Sequence, residues 1–288
     1  MNIKQNPFGL YDFLGYFIPG AICIYSIVFI NDFLTNGQID VERIKSFIDF
    51  KTAAFYLPFI LASYLLGHFL SYISSISIEK YSIWKYSFPS KYLLKIPHDG
   101  FWGAKKRKTQ KIWRILIVIF IFPVYLFDIT VANIFKLKRI YTKELDELLI
   151  RLIINKKRAL ISRMGENIEL FEDIQKIDFF RIILHYAFEH SKQHQAKLQN
   201  YVALYGFSRT ICLIQIIMTW VMFICMCYKN EFQNWNYILS ICILAFSAYI
   251  FFMSFMKFYR RYTLEGFMIL LILDQNPLSP QPFVPAEG

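Results

Sequence analysis

His185, Glu189, His190 and His194 crowd one short stretch of the chain, and His190 and His194 stand four apart. On a helix that spacing puts both imidazoles on one face, where Glu189 or His185 could complete a metal site. The neighbours Ser191, Lys192, Gln193 and Gln195 describe a solvated face instead, so neither a metal nor another cofactor is expected. Arg181 precedes His185 and His190 at gaps that do not fit the Arg–His pair of a HEPN-type ribonuclease. The sequence also lacks a Gly-rich phosphate loop, a Gly-x-Ser-x-Gly elbow and a His-Glu-x-x-His pair, so an enzyme is not expected. Cys23, Cys212, Cys225, Cys227 and Cys242 lie in or beside apolar runs as small apolar residues, and their spacing fits neither disulfides nor zinc.

A different pattern runs through residues 63–79. Ser63, Gly67, Ser71, Ser75 and Glu79 recur at steps of four, with His68 and Ser74 beside them, inside an otherwise apolar segment. Such a ridge has two physical uses. Small residues let helices approach closely, and polar groups at membrane depth line a water-filled path or an interface between subunits. Two basic runs add a second candidate site: Lys105, Lys106, Arg107 and Lys108, helped by Lys156, Lys157 and Arg158. Clustered ammonium and guanidinium groups bind phosphates by charge and by bidentate hydrogen bonds. The same runs also serve as anchors against anionic membrane lipids.

The elements that position these residues follow from composition. Of 288 residues, 56% are apolar and 19% aromatic, and they gather into long continuous runs at 14–30, 53–76, 211–228 and 237–256. Each approaches the ~20 residues needed to cross a hydrocarbon layer of roughly 30 Å. Continuous runs exclude the alternating strands of a barrel. The expected fold class is therefore all-α, a polytopic helical membrane protein with four spans and a cytoplasmic helical portion. A fifth span at 115–135 is possible, but Arg114, Pro123 and Asp128 fit a re-entrant, interfacial or protein-buried helix better. The first run is read as a retained span that follows a short leader from Met1, with no cleaved signal.

Charge sets the orientation. The loop 31–50 is slightly acidic, whereas 77–112, the start of 136–204, and Lys257, Arg260 and Arg261 after the last run are basic. Basic segments stay on the cytoplasmic side, so both termini are expected there. Within 136–204, Leu145, Leu148, Leu149, Leu152 and Ile153, then Phe179, Phe180, Ile183, Leu184, Ala187 and Phe188, recur at helical spacing. The chain thus divides into a first transmembrane pair (1–76), a basic cytoplasmic helical region with the apolar helix at 113–135 (77–204), a second pair (205–256), and a C-terminal helix with a Pro-rich tail (257–288).

Short motifs punctuate both membrane halves: Tyr11–Tyr16 with Pro19-Gly20, Tyr64–His68 running on to Glu79, Leu204–Arg209, and Phe258–Tyr262. On these the chain resembles membrane proteins of bacterial anti-phage defence loci, and in size and layout it is most similar to the channel-forming effectors of the Hailong system. The resemblance implies a homo-oligomeric pore in the bacterial inner membrane. Such a pore opens when a nucleotide or oligonucleotide second messenger, made by a partner nucleotidyltransferase, binds the cytoplasmic side, and it depolarises the infected cell. A formal charge of +11 is compatible with an anionic signal, although the positive-inside rule and lipid contacts account for most of it. A membrane-anchored scaffold without conduction and a small transporter are the alternative readings.

Overall fold

The computed structural model describes residues 9–36, 53–98, 100–103, 108–164 and 178–273. These residues form helices joined by turns, with no strand among them. Four of the helices are long and apolar enough to cross a membrane. A π-helical stretch, Phe13–Phe17, leads into α1 (Ile18–Asn36). α2 (Ala53–Ser74) passes through a second π-helical stretch, Ser75–Glu79, into α3 (Lys80–Tyr86), and α4 (Pro89–Leu93) follows. Next come α5 (Lys108–Phe120), α6 (Phe122–Ile129), α7 (Val131–Ile134), α8 (Lys138–Tyr141), α9 (Glu147–Arg163) and α10 (Phe180–His190). Two long helices close the chain, α11 (Lys192–Lys229) and α12 (Trp235–Leu273).

α11 and α12 form an antiparallel hairpin around which the rest is built. Its turn is specified locally: Asn230 adopts the left-handed conformation (φ 53°) and its N–H bonds Cys227, while the Glu231 N–H bonds Met226. That pair of bonds satisfies the last carbonyls of a helix. Asn234 then accepts the Asn236 N–H at the start of α12. Each helix extends roughly 57 Å at 1.5 Å per residue, well beyond a hydrocarbon layer of about 30 Å. The excess lies at the end opposite the turn. There α9 and α10 cover it through Ile153, Leu160, Ile183 and Ala187, which meet Phe267, Leu270 and Ile269 of α12. Leu148 and Leu152, expected on the inward face of α9, point outward.

α1 lies beside the hairpin, with Phe33 and Leu34 against Met222, Met226 and Tyr237 near the turn. α1 and α2 touch backbone to backbone. A Cβ on Gly20 would overlap the Ser63 carbonyl, and one on Gly67 would overlap the Tyr16 carbonyl. The apolar segment 115–135 does not run straight. α5 and the following helical stretch meet at 90°, because Pro123 has no N–H to continue the first helix and Ile121 leaves helical dihedrals (φ −92°, ψ 19°). Arg114, near the start, lies over Trp84, and Tyr141, past the end, packs on Tyr86. Those anchors are two residues apart, so both flanks of the segment are held beside α3. Its elbow reaches inward, where Trp220 donates to the Phe120 carbonyl at 2.7 Å. Trp220 sits about 16 Å along α11 from Arg209.

The glycine contact leaves no room for a side chain. Gly67→Ala should lower the thermal midpoint of the detergent-solubilised protein, since overpacking a close contact costs about 1–3 kcal/mol, and Gly67→Leu should eliminate the monodisperse species. Phe69→Leu, on the exposed face of α2, should change neither. Equal midpoints and elution profiles for all three would sink the contact.

Candidate functional site

Asp128 of α6 is wholly buried, and four donors converge on its carboxylate. Tyr81 donates at 2.7 Å, Tyr86 at 2.6 Å, Tyr141 at 3.0 Å and the Lys85 ammonium at 2.5 Å. Tyr81 and Lys85 stand four apart on α3 and so share a face, and Tyr86 follows directly. Lys85 also donates to the Tyr81 hydroxyl at 2.8 Å and lies 5.3–5.5 Å from the ring centroids of Tyr81, Tyr86 and Tyr125. The carboxylate thus has a counter-ion, three hydroxyls and an aromatic cage for that counter-ion, which is what a charge needs away from water. Beside the centre, Tyr249 of α12 stacks on Phe127, and its buried hydroxyl has no partner among the described residues.

A second polar centre joins α2 to α11. Arg209 forms an ion pair with Glu79, donates from Nε to the Ser74 hydroxyl at 3.0 Å, and reaches the Ser71 hydroxyl at 3.4 Å. Glu79 ends the π-helical stretch Ser75–Glu79, an irregularity common at functional sites. This geometry places most of the small polar ridge inside the protomer. Ser63 and Gly67 are buried against α1, with the Ser63 hydroxyl unpaired among the described residues, and Ser71, Ser74 and Glu79 are bound to Arg209. Ser75 turns back on the Tyr72 carbonyl, and His68, although exposed, stacks on Tyr16 at 3.7 Å. Of the two uses open to the ridge, close helix packing describes Ser63 and Gly67. Covered by backbone, they have no free face for water or for a second subunit.

The basic runs are less gathered. Lys105, Lys106 and Arg107 lie outside the described residues, and Lys108 is exposed at the start of α5. On α9, Lys156 is half-buried and Arg158 exposed, but Lys157 points inward with its ammonium 4.8 Å from the Phe179 ring centroid. Burial pushes the Lys157 ammonium down to about 8, with Asp178 pulling the other way. The histidines make local bonds, His190 to the Tyr186 carbonyl and His194 to the Ser191 hydroxyl. No group of three metal-ligating side chains gathers among the described residues.

In the sequence, Asp128 stands only as an obstacle to a fifth span, and Lys85 is one of the charges that make 77–112 basic. The signal for their union was the tyrosine and lysine spacing of 81, 85 and 86, facing a lone acid in an apolar run. The chain matches no protein-family model, and no curated protein and no solved structure matches it.

Two outcomes follow. Asp128→Ala leaves Lys85 buried without its counter-ion and should destabilise the protein by about 3–5 kcal/mol, whereas the double change Asp128→Leu with Lys85→Met should recover part of that loss. Denaturation of both variants in the same detergent checks it, and a double variant no better than the single one contradicts the pairing. For Lys157, the folded value near 8 lies below the ordinary 10.5. Between these values the unfolded chain holds a proton that the folded chain does not, so stability should rise with pH from about 8 to 10.5 and be flat with respect to this group below about 8. The rise should shrink in Lys157→Met, and an identical pH profile would place the ammonium in solvent.

Proposed function

We propose that this chain is a multi-pass protein of a bacterial inner membrane, with four spans, a re-entrant hairpin at 108–141, and both termini and the α9–α10 layer in the cytoplasm. Copies of it assemble into an ion-conducting pore that answers a phosphate-bearing signal on the cytoplasmic side. The re-entrant hairpin carries this reading. Broken backbone at membrane depth, such as the bend at Ile121, is tolerated only where protein covers it or where it lines a water-filled cavity, and selectivity elements of pores are built this way. Its acid, Asp128, is held by Lys85 and three tyrosines, which fasten the returning arm to α3. Read as re-entrant, the bent pair leaves four spans, and with four spans every basic cluster falls on the cytoplasmic side.

A scaffold without conduction is favoured by one observation, the closure of Ser63 and Gly67 against α1 within a single chain. Ion flux separates the two readings. Purified protein in liposomes should release a trapped ion after addition of a nucleotide or oligonucleotide signal, and empty liposomes should not. Protein shown to be inserted that passes no ion with any member of a nucleotide panel would leave the scaffold reading standing and end the pore.

A further inference from the structure

Arg114 is 5% exposed and is the charged member of a cavity of about 460 Å³ lined by Trp84, Thr109, Gln110 and Trp113. Its guanidinium lies 4.8 Å from the Trp84 ring centroid and 5.3 Å from that of Phe101, and it donates to the Phe101 carbonyl. No carboxylate pairs with it among the described residues. Among the described residues, two aromatic faces and one carbonyl hold the cation and no carboxylate neutralises it, an arrangement that favours a bound anion. The other buried arginine among the described residues, Arg209, has Glu79 beside it, and the half-buried Lys85 has Asp128.

We infer that this cavity binds the phosphate of an anionic phospholipid, with Arg114 as the phosphate ligand and Trp84 and Trp113 flanking the headgroup. The order of residues along α5 argues for a lipid rather than a free phosphate. Lys108 and Lys111 come first and are exposed, then Trp113 and Arg114, then the exposed apolar side chains Ile115, Leu116 and Ile119. That is the order of a leaflet seen from water: anionic surface, aromatic belt, acyl chains. Arginine suits the task because its planar fork meets two phosphate oxygens at once. The volume is in the range of small-molecule pockets.

The inference rests on the membrane placement proposed above, and its test separates the two. The full chain is mixed with vesicles of phosphatidylcholine alone and of phosphatidylcholine with phosphatidylglycerol, and flotation reports association. Failure to float with either vesicle ends the placement. Lipid binding is then read by native mass spectrometry from detergent, titrating phosphatidylglycerol against phosphatidylcholine. The wild type should retain phosphatidylglycerol at about tenfold lower concentration, a preference of ~1.4 kcal/mol. Arg114→Gln should remove that preference. Because Arg114 also holds the Phe101 carbonyl, the exposed Thr109→Trp serves as the second variant, filling the cavity without touching that bond. Equal retention of the two lipids by the wild type, or an unchanged preference in Thr109→Trp, overturns the site. Displacement of the lipid by glycerol phosphate at equal concentration overturns its assignment to a lipid.

Discussion

A carboxylate cannot be left alone inside a helical bundle, and the arrangement around Asp128 follows from that constraint. Four donors must reach one point, and they come from two separate stretches, α3 and α8, while the acid itself sits on the second arm of a bent segment. The bend at Ile121 makes the meeting possible. A straight helix through 108–135 would carry Asp128 away from Tyr81 and Lys85, whereas a 90° turn brings it back beside them. Proline supplies the turn and the acid supplies the attachment. Neither would hold the hairpin without the other, since a bend with nothing to bind it is only a hinge.

The contact between α1 and α2 obeys another economy. Two glycines let backbones meet where no side chain fits, and the cohesion there is dispersion together with weak contacts of Cα–H groups to carbonyls. The Arg209 group then fastens α2 to α11 through an ion pair and two hydroxyls. Apolar packing gives these helices proximity, but it does not by itself choose one register over another. The two charged centres choose it.

The long apolar runs were legible in the sequence because hydrophobic length is a property of composition, and the four expected runs fall within four helices of the structure. The doubt over 115–135 was legible too, through Pro123 and Asp128. What could not be read was partnership. Lys85 lies 43 residues from Asp128, and Arg209 lies 130 from Glu79. No helical period connects such pairs, and an acid in an apolar run announces a need without naming what meets it. The ridge at 63–79 left two readings open for a related reason. Small and polar side chains at steps of four look alike whether they face water or another backbone, and only the position of Tyr16 decides. On α9, Leu148 and Leu152 show that a helical stripe fixes which residues share a face but not which flank of it is covered.

α12 runs unbroken from Trp235 to Leu273 and is gripped near its middle, where Tyr249, Phe252 and Phe255 pack among the other helices. At one end Gly266 and Phe267 meet Phe180 of α10. At the other, the turn after Lys229 begins. Tyr237 is packed on Met222 and Met226 beside that turn, so the rod is held at both ends as well as in the middle and can move only together with the helices that grip it.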